Sequence, residues 1–179
     1  IGTTIFFHQD YLATLRDWPM GLFPRGFSLM AATTVIIALI NGGLIDRFGA
    51  KSVLPFFLVP LGLACFAVSL GTSEGSLYLF MALLGVSYGL ASTLFGSLWP
   101  EVYGTAHLGA IRSIIVPFMV LATALGPFIT GSLIDAGMGL PPQLIVMGVY
   151  CLVTAALMGL ASVRLKRRAS PHEALIQND

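Results

Sequence analysis

Gly42-Gly43-Leu44-Ile45-Asp46-Arg47-Phe48-Gly49-Ala50-Lys51 is a short polar stretch set between two long apolar runs. Gly26–Ile45 holds twenty residues without a formal charge, and Ser52–Ser73 holds twenty-two. Each is long enough to cross the hydrocarbon core of a bilayer as a helix. The linker is too short for a domain, so it must turn the chain back at one membrane face. Gly42 and Gly43 are expected to let two helix ends approach closely. Asp46 and Arg47 put both signs of charge at the water boundary. Gly49 can supply a backbone conformation that other residues resist.

Composition points the same way. The chain is 56% hydrophobic and 9% charged, with a mean hydropathy of +0.90; a soluble domain carries about 25% charged residues. A soluble bundle of this composition would expose large apolar patches. The net charge of +1 offers no field for nucleic acid. Cys65 and Cys151 lie in apolar runs and read as small buried hydrophobes, not as a disulfide or metal site. No cofactor and no metal are expected. The chain opens at Ile1 without a charged leader, as expected of a fragment that starts inside a helix.

Taken in order, residues 1–11 form a partial span that turns polar at His8-Gln9-Asp10. Leu12–Arg25, with Pro19 and Pro24, reads as a surface loop anchored at the interface by Trp18. Full spans are expected over 26–45, 53–71, 76–98, 109–134 and 141–163. Pro55 and Pro60 should bend the second span, and Pro117 and Gly126-Pro127 should break the fourth. Residues 1–163 make the membrane bundle, and 164–179 a basic, soluble tail. Alternating the loops puts Arg47, Lys51, Arg112, Arg164, Lys166, Arg167 and Arg168 on one side and only Arg16 and Arg25 on the other. That bias makes the first side, with the tail, cytoplasmic.

The stretch Gly42-x-Leu44-x-Asp46-Arg47-Phe48-Gly49-x-Lys51 resembles the cytoplasmic loop signature of the major facilitator superfamily. Ala50 departs from it, standing where the family often has a basic residue. Pro100-Glu101-Val102-Tyr103-Gly104 is similar to the family's P-E-x-x-G element, and Gly126-Pro127-x-x-x-Gly131 to its glycine–proline element. The resemblance runs from His8 to the basic tail. It implies an all-α membrane protein: the carboxy-terminal six-helix half of a twelve-helix carrier, lacking its amino-terminal half. It further implies a cytoplasmic charge relay of Asp46, Arg47, Lys51, Glu101 and Arg112. In that relay Glu101 would pair with Arg47, and Asp46 would face Arg112 or the start of its helix. Gly131-Ser132-Leu133-Ile134-Asp135 echoes Gly42-Gly43-Leu44-Ile45-Asp46 at the opposite face, as an inverted repeat would.

The spacing of Gly85-x-x-x-Gly89 and Ala122-x-x-x-Gly126 suits close helix packing in lipid. No span carries a charge near its centre, so candidates for the substrate cavity are polar or aromatic: His8, Gln9, Thr34, Asn41, Tyr88 and Ser92. Tyr88, Ser92, Phe95 and Trp99 share helical spacing, which packing also explains. Arg112 lies too near the cytoplasmic end to be a midplane anion ligand and reads as a gate. His8-Gln9, Pro100-Glu101, Gly109-x-x-Arg112 and Gly126-Pro127 resemble bacterial monocarboxylate-transporter-like members. That resemblance implies an inner-membrane secondary carrier for small organic anions, with the lipid bilayer as a partner. With no ATP-binding loop in the sequence, protons are the expected coupling ion. The alternative is a transporter-like sensor or assembly factor without transport. An enzyme is not expected, because no paired carboxylates, nucleophilic triad or metal cluster is present.

Overall fold

A computed structural model describes residues 1–19 and 21–176, with side chains described through Arg164. The tail residues Lys166, Arg167, Arg168, His172 and Glu173 therefore lie outside the described side chains. The order is α1 Gly2–Phe7, α2 Gln9–Arg16, α3 Leu22–Phe48, α4 Ala50–Val53, α5 Leu58–Leu70, α6 Glu74–Tyr103, α7 Leu108–Asp135 and α8 Leu140–Ile176. The described residues hold no strand. Five stretches are long and apolar enough to span a bilayer: Leu22–Phe48, Ala50–Leu70, Glu74–Tyr103, Leu108–Asp135 and Leu140–Arg164. The protein is an all-α, multi-pass membrane bundle.

Several boundaries differ from the sequence reading. Most of the expected loop over Leu12–Arg25 is helical. α2 runs to Arg16, Asp17 turns the chain with φ 53, and α3 begins at Leu22. Pro24 falls in the first turn of α3, where a missing amide costs no helical bond. Trp18 is not an interfacial anchor. It is buried, and its indole Nε1 donates to Thr72 O at 3.0 Å. Arg16 Nη2 donates to Ser69 O at 2.5 Å, so both residues fasten α2 to the α5–α6 turn.

The expected hinge over Asp46–Lys51 narrows to Gly49, because Asp46, Arg47 and Phe48 complete the last turn of α3. Gly49 has φ +78, and its amide closes the helix on Ile45 O at 2.8 Å. Gly42 and Gly43 sit inside α3 with nothing within 4 Å of an added Cβ, so they do not mediate a close approach. The second span is interrupted at residues 54–57. Pro55 has no amide to donate, and tight turns cross the gap, Phe56 N to Val53 O at 2.9 Å and Val59 N to Phe56 O at 3.3 Å. Pro100 is helical, and α6 ends at Gly104, whose φ is +72. α7 is continuous through Pro117 and Pro127 rather than broken. α8 continues beyond the expected end at 163.

Two apolar clusters occupy opposite ends of the bundle. One joins Leu12, Trp18 and Leu22 to Val68, Leu77, Phe80, Met81 and Leu144. The other joins Ile45, Ala50, Val53, Phe57, Leu94 and Leu98. Between them, α3 and α6 meet at the glycine pair of α6. A Cβ at Gly85 would lie 2.6 Å from Met30 O, and one at Gly89 would lie 2.7 Å from Thr34 O. Both obstacles are backbone, which cannot swing away. α5 and α8 repeat the device: added Cβ atoms at Gly62 and Gly148 would each stand 3.1 Å from the other's carbonyl oxygen. α7 is packed differently, with Thr130 its one buried residue. It touches α1 at its own glycines. Thr4 Oγ1 lies 2.8 Å from a Cβ at Gly126, and His8 Nε2 lies 3.5 Å from one at Gly131.

These contacts predict opposite signs for two similar substitutions. Gly89→Ala should lower stability by about 1–3 kcal/mol through overpacking. Gly43→Ala, in open space within a helix, should raise it by about 0.5–1 kcal/mol. Reversible unfolding in mixed micelles measures both, and equal effects would remove the packing role assigned to Gly89.

Candidate functional site: a polar clasp and an arginine-lined cavity

At the end of the bundle where α3 passes into α4, Glu101 sits in the last turn of α6. Its Oε2 accepts from Ala50 N at 2.5 Å, and its Oε1 lies 3.7 Å from Lys51 Nζ. The carboxylate thus meets the unpaired amide at the start of α4, where negative charge is favoured. Gly49 permits the approach, since a Cβ there would stand 3.2 Å from Glu101 Oε1 and φ +78 disfavours any side chain. On the other flank, Ser162 Oγ of α8 donates to Lys51 O at 2.5 Å. Ser52 Oγ also donates back to Phe48 O. The short α4 is therefore held from α3, α6 and α8 at once.

The expected pairings do not form among the described residues. Glu101 meets Lys51, not Arg47. The Arg47 guanidinium lies over the ring of Phe48, 5.4 Å from its centroid. Asp46 is exposed at the end of α3, and Lys51–Glu101 is the one ion pair among the described residues, so Asp46 and Arg112 are not joined. The reason is helical phase. Asp46 and Arg47 continue α3, while the turn at Gly49 brings the next cation, Lys51, round to α6.

The residues nominated for a cavity are scattered. Asn41 is fully buried, and its Nδ2 donates to Leu90 O at 3.0 Å and to Thr93 Oγ1 at 2.6 Å, so it ties α3 to α6. Thr34 Oγ1 donates to Met30 O at 2.8 Å within its own helix. His8 marks the joint between α1 and α2, and its Nδ1–H donates to Thr4 O at 2.9 Å. Gln9 borders an outer depression of about 640 Å³ with Asp10, Asp17 and Trp18. The Tyr88 ring packs beside Gly2.

Ser92 lies elsewhere, in a cavity of about 360 Å³ between α6 and α7. Phe95 and Trp99 of α6 share its lining with Arg112, Ile115 and Met119 of α7. The helical spacing of Ser92, Phe95 and Trp99 signalled one wall, but the opposing α7 wall had no signal beyond the lone Arg112. Gly62, Gly148 and Ser162 escaped the sequence reading because each acts through a partner distant in the chain.

With this geometry in place, comparison with known proteins fixes the family. The Major Facilitator Superfamily profile matches residues 7–178. The chain belongs to the major facilitator superfamily. Among superfamily relatives, the MFS-type transporter clz4 of Cochliobolus lunatus is 33% identical over 104 residues, 58% of this chain and 18% of that protein. The 4-hydroxybenzoate transporter PcaK of Acinetobacter baylyi is 33% identical over 134 residues, 69% of this chain and 28% of that protein. The matched stretches thus span less than a third of either relative. No solved structure matches. The segment similar to the superfamily loop signature forms the end of α3 and all but the last two residues of α4.

The two bonds of Glu101 should differ in weight. A partly exposed ion pair at 3.7 Å, outside hydrogen-bond distance, is worth at most about 1 kcal/mol. A carboxylate bond to a helix-start amide is worth about 1.5–3 kcal/mol. Glu101→Ala should therefore destabilise the folded bundle clearly more than Lys51→Met in denaturant titrations. Equal losses would show that the ion pair, not the amide, dominates.

Proposed function

We propose that this chain is the carboxy-terminal half of a secondary carrier that moves a small organic anion across a membrane by alternating access. The observation that carries this reading is the clasp of Glu101 with Ala50 N and Lys51. It is a compact polar contact between helix ends, at the edge of the bundle. Such a contact can open and close without unfolding a helix, which is what a gate requires. Asp46, Arg47 and Arg112 lie at the same end and complete the proposed charge relay in other access states.

Further support is chemical. PcaK carries a named organic anion, and the names of both relatives are those of transporters, which favours transport over catalysis. Helix order gathers Arg47, Lys51, Arg112 and Arg164 at one end and Arg16 and Arg25 at the other. By the positive-inside rule the first end is cytoplasmic. A bacterial inner membrane is the proposed setting, in keeping with the Acinetobacter relative. A proton gradient is the proposed energy source.

The test is uptake of small carboxylates by the complete polypeptide in proteoliposomes, with and without an inward proton gradient. Gradient-stimulated uptake is expected. Glu101→Ala should slow it roughly tenfold, the change that about 1.4 kcal/mol lost from one access state produces. If folded, oriented protein moves no solute, the carrier reading gives way to a transporter-like sensor.

A further inference from the structure

Resting on the carrier reading, the geometry points to the α6–α7 cavity as a recognition site for aromatic monocarboxylates, with Arg112 holding the carboxylate and Phe95 and Trp99 flanking the ring. Arg112 is the one charged side chain in the lining, and no carboxylate pairs with it among the described residues. A guanidinium presents a planar fork that matches a carboxylate with two parallel hydrogen bonds. Beside a largely apolar wall, one such cation suits one anionic group.

The walls choose the body of the ligand. Phe95 is held edge-on by Phe57, with centroids 5.4 Å apart and planes at 78°. Trp99 is stacked on Tyr103 at 6.3 Å and 22°. Each ring thus already has an aromatic partner outside the lining, and Phe95, set against the buried Phe57, loses little freedom on binding. Aromatic faces and edges favour another aromatic ring over an aliphatic one of equal size. Ile115 and Met119 of α7 give the opposite wall an apolar, adaptable surface. The volume of about 360 Å³ lies at the small end for ligand pockets, which fits a single ring rather than an extended solute.

The site is also coupled to the clasp by sequence. Trp99 and Glu101 lie two positions apart on the last turns of α6. A ligand that shifts Trp99 acts on the same turn that reaches Ala50 and Lys51, so occupancy and gating share one short segment.

Equilibrium binding of radiolabelled benzoate to the complete polypeptide in nanodiscs tests the site, with cyclohexanecarboxylate and benzyl alcohol as competitors. Benzoate should compete at least about tenfold better than either, since each competitor lacks one of the two recognised groups. Arg112→Gln should weaken benzoate binding by about tenfold to a hundredfold, with Arg112→Lys in between. Phe95→Leu should erase the preference for benzoate over cyclohexanecarboxylate while leaving the need for a carboxylate. Wild-type protein that binds the three probes alike overturns the site without recourse to any variant, as does unchanged binding in folded Arg112→Gln. Uptake of another solute alongside either result sinks the site and leaves the carrier reading standing. Arg112-dependent benzoate binding with no uptake of any solute does the reverse.

Discussion

Two absent side chains set the spacing of this bundle. At Gly85 and Gly89 the backbone of α6 comes so near the carbonyls of Met30 and Thr34 that even a methyl group would collide with main-chain oxygen. In lipid, helices gain little from burying apolar surface, because the surroundings are as apolar as the interface. What remains is close contact and the hydrogen bonds that closeness permits. Asn41 supplies those bonds further along the same seam, reaching Leu90 O and Thr93 Oγ1. The α3–α6 pair is thereby a stiff frame. α5 leans on it through Ser87 Oγ, which donates to Phe57 O at 2.6 Å, and α8 follows α5 through Gly62 and Gly148.

Against that frame the clasp is chemically distinct. The seam is built from backbone proximity and cannot be opened without separating helices. The clasp is built from one carboxylate, one amide and one ammonium near the end of the bundle, where water can compete for the two charged side chains. A structure that combines permanent apolar seams with an exchangeable polar contact has two energy scales. Motions that exchange the polar contact for hydration leave the seams intact.

Much of the architecture was legible in the sequence, because bilayer thickness converts directly into run length and an apolar run of twenty residues has few alternatives. The clasp region was legible through Gly49, Lys51 and Glu101. The pairing within it was not, since whether Arg47 or Lys51 faces α6 depends on where α3 stops, and helix ends are set by tertiary partners. Asn41 shows the same limit. A polar side chain in an apolar span needs partners, from a solute in a cavity or from a neighbouring helix, and the sequence does not choose between them; here Asn41 Nδ2 finds its partners on α6, while its Oδ1 has none among the described residues. Trp18 is apolar with one donor, equally suited to a membrane interface or to a buried site with a carbonyl at hand. The carbonyl of Thr72 decided it.

The prolines of α7 carry a consequence for its surroundings. Pro117 and Pro127 stand inside a continuous helix, so the carbonyls of Ser113 and Thr123, four residues earlier, lose their helical donors. A bare carbonyl is costly in hydrocarbon and cheap in water. Two of them on one helix make lipid a poor solvent for that helix, however apolar its side chains. α7 is thus selected, by what its backbone lacks, for a hydrated environment or for the company of another donor. The bundle's most loosely packed helix is also the one with the strongest reason to border an aqueous passage.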